Sequence, residues 1–123
     1  MVKEFKFNTK VYYEDIDAAG IVYYANYLKF LERARSEAIY SMGLTNKKLL
    51  KDNGTIIIVK SCKIDYKKPA KFEDSLEIIS KIKTISKSSF TMDQMIKRKE
   101  EIISESEIVL VTVNVEGKPI RIP

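Results

Sequence analysis

Hydrophobic and polar positions alternate from near the start of the chain. In residues 4–13, "EFKFNTKVYY", Phe5, Phe7, Val11 and Tyr13 fall on one face. A period of two over this length predicts a strand. Residues 14–20 read as a loop ending at Gly20, and then the period changes. Tyr24, Tyr27, Leu28, Leu31, Ala34, Arg35 and Ala38 keep the i, i+3, i+4, i+7 spacing of one helix face. "LKFLERARSEA" is rich in strong helix formers, and Phe30 and Ile39 widen the apolar side. Gly43 supplies a C-terminal stop. The helix is expected to run about 18 residues, roughly 27 Å.

A shorter helix is expected over "TNKKLLKD", capped by Thr45 or Asn46, with a turn at "DNGT". Four β-rich runs follow, at 55–66, 74–86, 89–99 and 102–115. Leu76, Ile78 and Ile82 share a face in the second, and Phe90, Met92 and Ile96 in the third. The last, "IVLVTVNV", is apolar on both faces and reads as a central or interface strand. The connectors suit antiparallel neighbours. The economical architecture is α+β, one domain over residues 1–123, with a five-stranded antiparallel sheet curled around one long helix. A lone sheet leaves a face or an edge open, so at least a dimer is expected.

Composition narrows the chemistry. The 123 residues are 45% hydrophobic and 32% charged, ordinary for a globular protein. No run approaches the length of a membrane span, and "MVKEFKFNTK" lacks the apolar stretch of a secretory signal. The single cysteine, Cys62, has no internal disulfide partner, which points to a cytoplasmic setting. It reads as a half-buried strand residue rather than a nucleophile. The net charge of +5 favours an anionic partner, but the lysines are scattered and form no nucleic-acid-binding block. There is no histidine. That removes Ser-His-Asp and Cys-His nucleophile systems and histidine-ligated zinc. Proton chemistry near neutral pH falls to a carboxylate, a lysine, a tyrosine or Cys62.

One stretch stands out, "YYEDIDAAGIVYYANY" at 12–27. Asp15 and Asp17 precede the start of the long helix, where backbone N–H groups lack partners and carry partial positive charge. Those donors can hold an anion or the oxygen of a carbonyl under attack, and a nearby carboxylate can attack that carbonyl or activate water against it. Gly20 lets backbone and substrate come close. The plainer readings are that both aspartates cap backbone amides, or that D-x-D begins a Mg²⁺ site for which the sequence places no third ligand. Tyrosines such as Tyr23, Tyr24 and Tyr27 are more often core than catalytic.

The same stretch, extended as "YYEDIDAAGIVYYANYLKFLERAR", closely resembles the signature of the 4-hydroxybenzoyl-CoA thioesterase family of hotdog-fold acyl-CoA thioesterases, including the branch associated with the Tol–Pal system. The family pattern D-x-D-x-x-G-[VI]-V-[YW]-[HY]-x-[NS]-Y runs here from Asp15 through Tyr27. "YKKPAKFEDSLEI" resembles a further family segment, and "GKPIRIP" its last turn. The resemblance implies a sheet wrapped around a helix, active sites at a dimer interface and, in many members, paired dimers. It implies an acyl-CoA substrate, with no cofactor and no metal. Asp17 falls on the catalytic carboxylate, and backbone N–H at or beside Tyr24 polarises the thioester. Asp15 and Asn26 shape the loop. Lys87 and Arg121 fall in regions used for coenzyme A phosphates. Many bacterial members carry histidine where this chain has Tyr24, so imidazole chemistry is not expected. Two rivals keep the same cleft. They are a hotdog enoyl-CoA hydratase, which commonly needs an Asp–His pair, and a non-catalytic acyl-CoA-binding or envelope-associated scaffold.

Overall fold

The computed structural model describes residues 3–123. Strand β1 spans Glu4–Lys10, and two single-turn 3-10 segments, Tyr13–Asp15 and Tyr24–Asn26, flank the loop that follows it. Helix α1 is Tyr27–Ser41 and α2 is Asn46–Asn53. The remaining strands are β2 Ile56–Tyr66, β3 Ser75–Ile85, β4 Ser89–Arg98 and β5 Glu101–Val113. They form one antiparallel sheet in the order β1-β3-β4-β5-β2. This is the hotdog fold, with α1 lying in the curl of the sheet. Register shifts at Val59/Ser61, Ile82/Thr84 and Ile96/Lys97 supply the bend, since an extra residue on one strand kinks it locally.

The core is where the two periodicities meet. Phe30, Leu31 and Ala34 of α1 are buried with Ile78, Met92, Ile96 and Ile108 of the sheet. Each such large side chain contributes roughly 1.5–3 kcal/mol by leaving water. Tyr24 and Leu28, expected on the same helix face, stay 63% and 47% exposed. Tyr24 and Leu28 face outward at the helix start, while Tyr27 and Phe30 of the same turn are buried. Tyr13 also departs from its strand face. The strand ends at Lys10, and Tyr13 begins a 3-10 turn at 78% exposure.

α1 ends as Gly43 predicts. Gly43 takes φ +80°, and its N–H bonds the Tyr40 carbonyl at 2.9 Å while Leu44 N–H reaches Ile39 at 3.3 Å. That pair of bonds satisfies the last helical carbonyls in a Schellman arrangement. Thr45 caps α2 by accepting from Lys48 N–H at 3.0 Å. β5 lies between β4 and β2, as its two apolar faces require. β2 is an edge strand. Cys62 therefore sits on a strand as expected but is exposed, because α1 does not reach over that margin.

Candidate active site

The loop between β1 and the helix start is a small hairpin of its own. Ile16 pairs with Val22, Asp17 N–H donates to Ile21 at 2.9 Å, and Tyr23 N–H donates to Asp15 at 3.2 Å. The Asp17 carbonyl accepts from Gly20 N–H at 3.0 Å, and Gly20 holds φ +82°. That left-handed conformation suits glycine. Asp17 is thus two rungs of a short ladder from Tyr23, the residue before the helix-start turn, about 7 Å along a strand. Ala19 N–H donates to its Oδ1 at 2.8 Å, and the side chain lies exposed at the mouth of a hollow formed with Tyr13, Ile16 and Ala18.

Asp15 is a different kind of residue. It is buried at 4% exposure and its Oδ2 accepts from Tyr12 N–H at 2.8 Å. Its carbonyl accepts from Asn26 Nδ2 at 2.9 Å. Asn26 thereby ties the loop to the first turn of the helix. Capping, the plain reading of both aspartates, describes Asp15 closely. Asp17 also bonds its own loop but keeps an open face.

The helix start offers donors. Tyr23 N–H is taken by Asp15, and Asn26 N–H by Tyr23. Tyr24 and Ala25 are the first residues of the 3-10 turn, so their N–H groups have no partner within it, and no side chain caps it. The Tyr24 ring points out beside Tyr23, with centroids 4.8 Å apart. The Tyr24 phenol beside it raises the pKa of Tyr23.

A second segment backs this arrangement. Val22 N–H donates to Ala70 at 2.8 Å, Phe72 N–H to Gly20 at 3.2 Å, and Ala70 N–H to the buried Tyr27 Oη at 3.0 Å. Burial raises the pKa of that phenol. Arg98 pins the segment from β4, donating to Asp74 at 2.7 Å and to Pro69 at 3.1 Å. Tyr66 Oη donates to the Tyr24 carbonyl at 3.3 Å. Reading the sequence did not single out Tyr27, Tyr66, Asp74 or Arg98 for the site. "YKKPAKFED" held five partners of the clamp, Tyr66, Pro69, Ala70, Phe72 and Asp74, and nothing marked Arg98, which lies in a different strand.

Lys87 and Arg121 lie elsewhere. Lys87 is exposed in the turn after β3, and its carbonyl accepts from Ile122 N–H at 2.8 Å, which brings Arg121 alongside. The Asp17 loop meets the chain just before β3 begins, whereas Lys87 follows its end. A strand of that length runs about 35 Å. Within one chain the structure gathers Asp15, Asp17, Gly20, Tyr24 and Asn26, and leaves Lys87 and Arg121 at the opposite end of the sheet. That far end also holds an apolar cavity of about 220 Å³ between Ala38, Met42, Ile82, Ile85 and Phe90, with no titratable side chain in its lining. Among the described residues, no three His, Cys, Asp or Glu side chains converge as metal ligands.

A five-stranded antiparallel sheet curled round one long helix is the hotdog fold of thioesterases. The chain belongs to the thioesterase-like superfamily, which it matches over residues 11–123. It is 33% identical over 120 residues to the acyl-CoA thioesterase YbgC of Haemophilus influenzae, covering 97% of this chain and 88% of that one. It is 33% identical over 121 residues to the acyl-CoA thioester hydrolase YbgC of Escherichia coli O6:H1, covering 97% and 90%. Among solved structures, a probable thioesterase from Bartonella henselae superposes with TM-score 0.95 at 31% identity, over 98% of this chain and 100% of that one. The 4-hydroxybenzoyl-CoA thioesterase of Pseudomonas sp. strain CBS-3 shares the fold, with TM-score 0.91 at 22% identity over 98% and 94%.

Proposed function

We propose that this protein hydrolyses acyl-CoA thioesters, with Asp17 as the catalytic carboxylate and backbone N–H at Tyr24 as oxyanion donor. The observation that carries the reading is the short ladder tying Asp17 to the helix start, with open N–H groups on one side and an open carboxylate on the other. The substrate carbonyl accepts from Tyr24 N–H, so negative charge developing on oxygen meets the positive end of the helix. Asp17 then acts by one of two routes. It adds to the carbonyl carbon, coenzyme A leaves as thiolate, and water opens the resulting mixed anhydride. Alternatively it takes a proton from water as that water adds, and the thiolate leaves from the tetrahedral intermediate. Both end in one carboxylic acid and one thiol per water consumed. Asp15, Asn26 and Gly20 hold the loop in shape.

Lys87 and Arg121 fit the phosphates of coenzyme A only if a second copy presents them, since they lie far from Asp17 in their own chain. β2 supports such an assembly. It is an edge strand with Ile58 43% and Val59 49% exposed, and an open apolar edge invites pairing with another chain. We therefore read the molecule as a homodimer, with dimers pairing to a homotetramer, one domain per chain, working in the cytoplasm. No helix among the described residues is long and apolar enough to cross a membrane.

Release of free thiol from short, long and aromatic acyl-CoAs tests the activity directly. Turnover of at least one class is expected. No thiol from any of them, with the thioesters still bound, would replace this reading with a binding scaffold.

A further inference from the structure

Arg35 holds a charge that the mapped ion pairs leave unmatched. It lies on the side of α1 facing β2, half-buried, and burial lowers its pKa from the usual value. None of the ion pairs among the described residues includes it. Glu32, one turn earlier, is within electrostatic reach but points to solvent. Among the described residues the guanidinium makes one side-chain bond, donating to the neutral Gln94 Oε1 at 3.0 Å.

Gln94 is no casual partner. It is 1% exposed in the middle of β4, in register with Ser80 and Ser106 on the neighbouring strands. Its Nε2 donates to the Leu31 carbonyl at 3.0 Å and to Ser80 Oγ at 2.9 Å. With both amide hydrogens spent on the core, its oxygen is turned toward α1 and fixes Arg35 in place. A guanidinium has five N–H donors, so most of them remain for something outside the chain.

Tyr24 and Arg35 are eleven residues apart and so lie nearly in line along one side of the helix. Tyr66 and Cys62 of β2 lie on that side too, Tyr66 donating to the Tyr24 carbonyl at 3.3 Å and Cys62 within electrostatic reach of Arg35. One end is therefore the proposed oxyanion donor and the other a fixed cation. The 3-10 turn and the helix from Tyr24 to Arg35 together rise about 18 Å, the arginine side chain leans back toward the helix start by about 5 Å, and a hydrogen bond at each end takes about 3 Å. What remains between the two acceptor oxygens, about 7 Å, suits a chain of about five carbons.

Resting on the thioesterase reading above, we infer that Arg35 selects acyl groups ending in an anion, so that the preferred substrates are monothioesters of short dicarboxylic acids. Leu28 and Tyr66 flank the intervening chain, and the distal carboxylate takes the guanidinium hydrogens that Gln94 leaves free.

The test compares glutaryl-CoA with pentanoyl-CoA, which differ only in the distal carboxylate. Wild-type kcat/KM is expected to favour glutaryl-CoA by at least about tenfold, a typical ratio for a charge-assisted bond. Arg35→Met should reverse that preference, Arg35→Lys should retain part of it, and Gln94→Leu should weaken it without abolishing turnover. Calorimetric binding of both thioesters to Asp17→Asn reads the same preference without turnover. Equal handling of the two by wild type overturns the inference while leaving the thioesterase reading intact. Selective binding with no hydrolysis by wild type does the reverse. If Arg35→Met loses both substrates alike and sediments as a smaller species, Arg35 belongs to a contact between copies and the inference fails.

Discussion

The two ends of α1 are finished in opposite ways. At the C-terminal end, Gly43 and Leu44 return N–H groups to Tyr40 and Ile39, so the helix closes on itself beside an apolar cavity. At the N-terminal end no side chain caps the first turn, although Asp15, Asn26, Tyr27 and Tyr66 all bond nearby. Each of those bonds holds backbone in position, and none covers the N–H groups of Tyr24 and Ala25. An ordinary helix start with two aspartates close by would spend one of them as a cap. Here the surroundings are fully braced and the donors are left open.

Removing the charge at Asp17 should break this contrast most sharply. Asp17→Asn keeps the Oδ1 acceptor for Ala19 N–H and changes little of the fold. We expect kcat to fall by at least about 100-fold while the melting temperature stays within about 1–2 °C. Wild-type turnover in that variant would remove Asp17 from the mechanism.

Asp15 should behave in the reverse way. It is buried and its carboxylate answers Tyr12 N–H. Asp15→Ala leaves that donor unsatisfied, at a cost of about 1–3 kcal/mol by urea unfolding. Activity should fall less than in Asp17→Asn, and only through a looser loop. If the two variants lose turnover equally with stability unchanged, the division of labour between them is wrong.

Much of this was legible in the chain. The long helix, which opens at Tyr24 in a 3-10 turn before α1 proper, its glycine stop and the Thr45 cap follow from periodicity and capping residues, and the four later strands match within a residue or two. The D-x-D stretch with Gly20 carried the loop. What stayed hidden depends on partners far away in sequence. Tyr24 and Leu28 keep the helical spacing but stay exposed, which only the packing of helix on sheet determines. Arg98 holds Asp74 across a sheet rung that no local pattern encodes. Gln94 and Arg35 are 59 residues apart, and a glutamine within a β-run looks unremarkable until the helix is laid over it.

Tyr27 gives the brace a pH signature. Its phenol is buried against Ala70 N–H, and burial raises its pKa above the usual 10.0. The folded state therefore keeps the proton more tightly than the unfolded chain. Its contribution is full below about pH 10 and declines as pH rises through the folded pKa. Tyr27→Phe should lower stability by about 1 kcal/mol at pH 7, through loss of the acceptor for Ala70 N–H. It should also flatten the decline above pH 10. A chemical-denaturation series from pH 7 to pH 11 reads both, and an unchanged alkaline slope would assign that decline to Tyr66, whose pKa burial also raises.

The smallest effect sharpens the comparison best, because it applies one perturbation to both ends. Gly20 and Gly43 sit at φ +82° and +80°, and a Cβ added at either would meet nothing within 4 Å. Alanine is thus penalised at both by backbone conformation alone, by about 1 kcal/mol. Asparagine, which tolerates the left-handed region, should recover part of that at both. The stability changes should match, but the kinetic ones should not. Gly43→Ala should leave kcat/KM untouched, since its turn only closes the helix. Gly20→Ala should lower it several-fold by shifting the loop that carries Asp17. Equal kinetics in the two alanine variants would mean that the loop tolerates backbone strain without moving Asp17, and that the ladder from Asp15 to Tyr23 sets the site without help from the Gly20 turn.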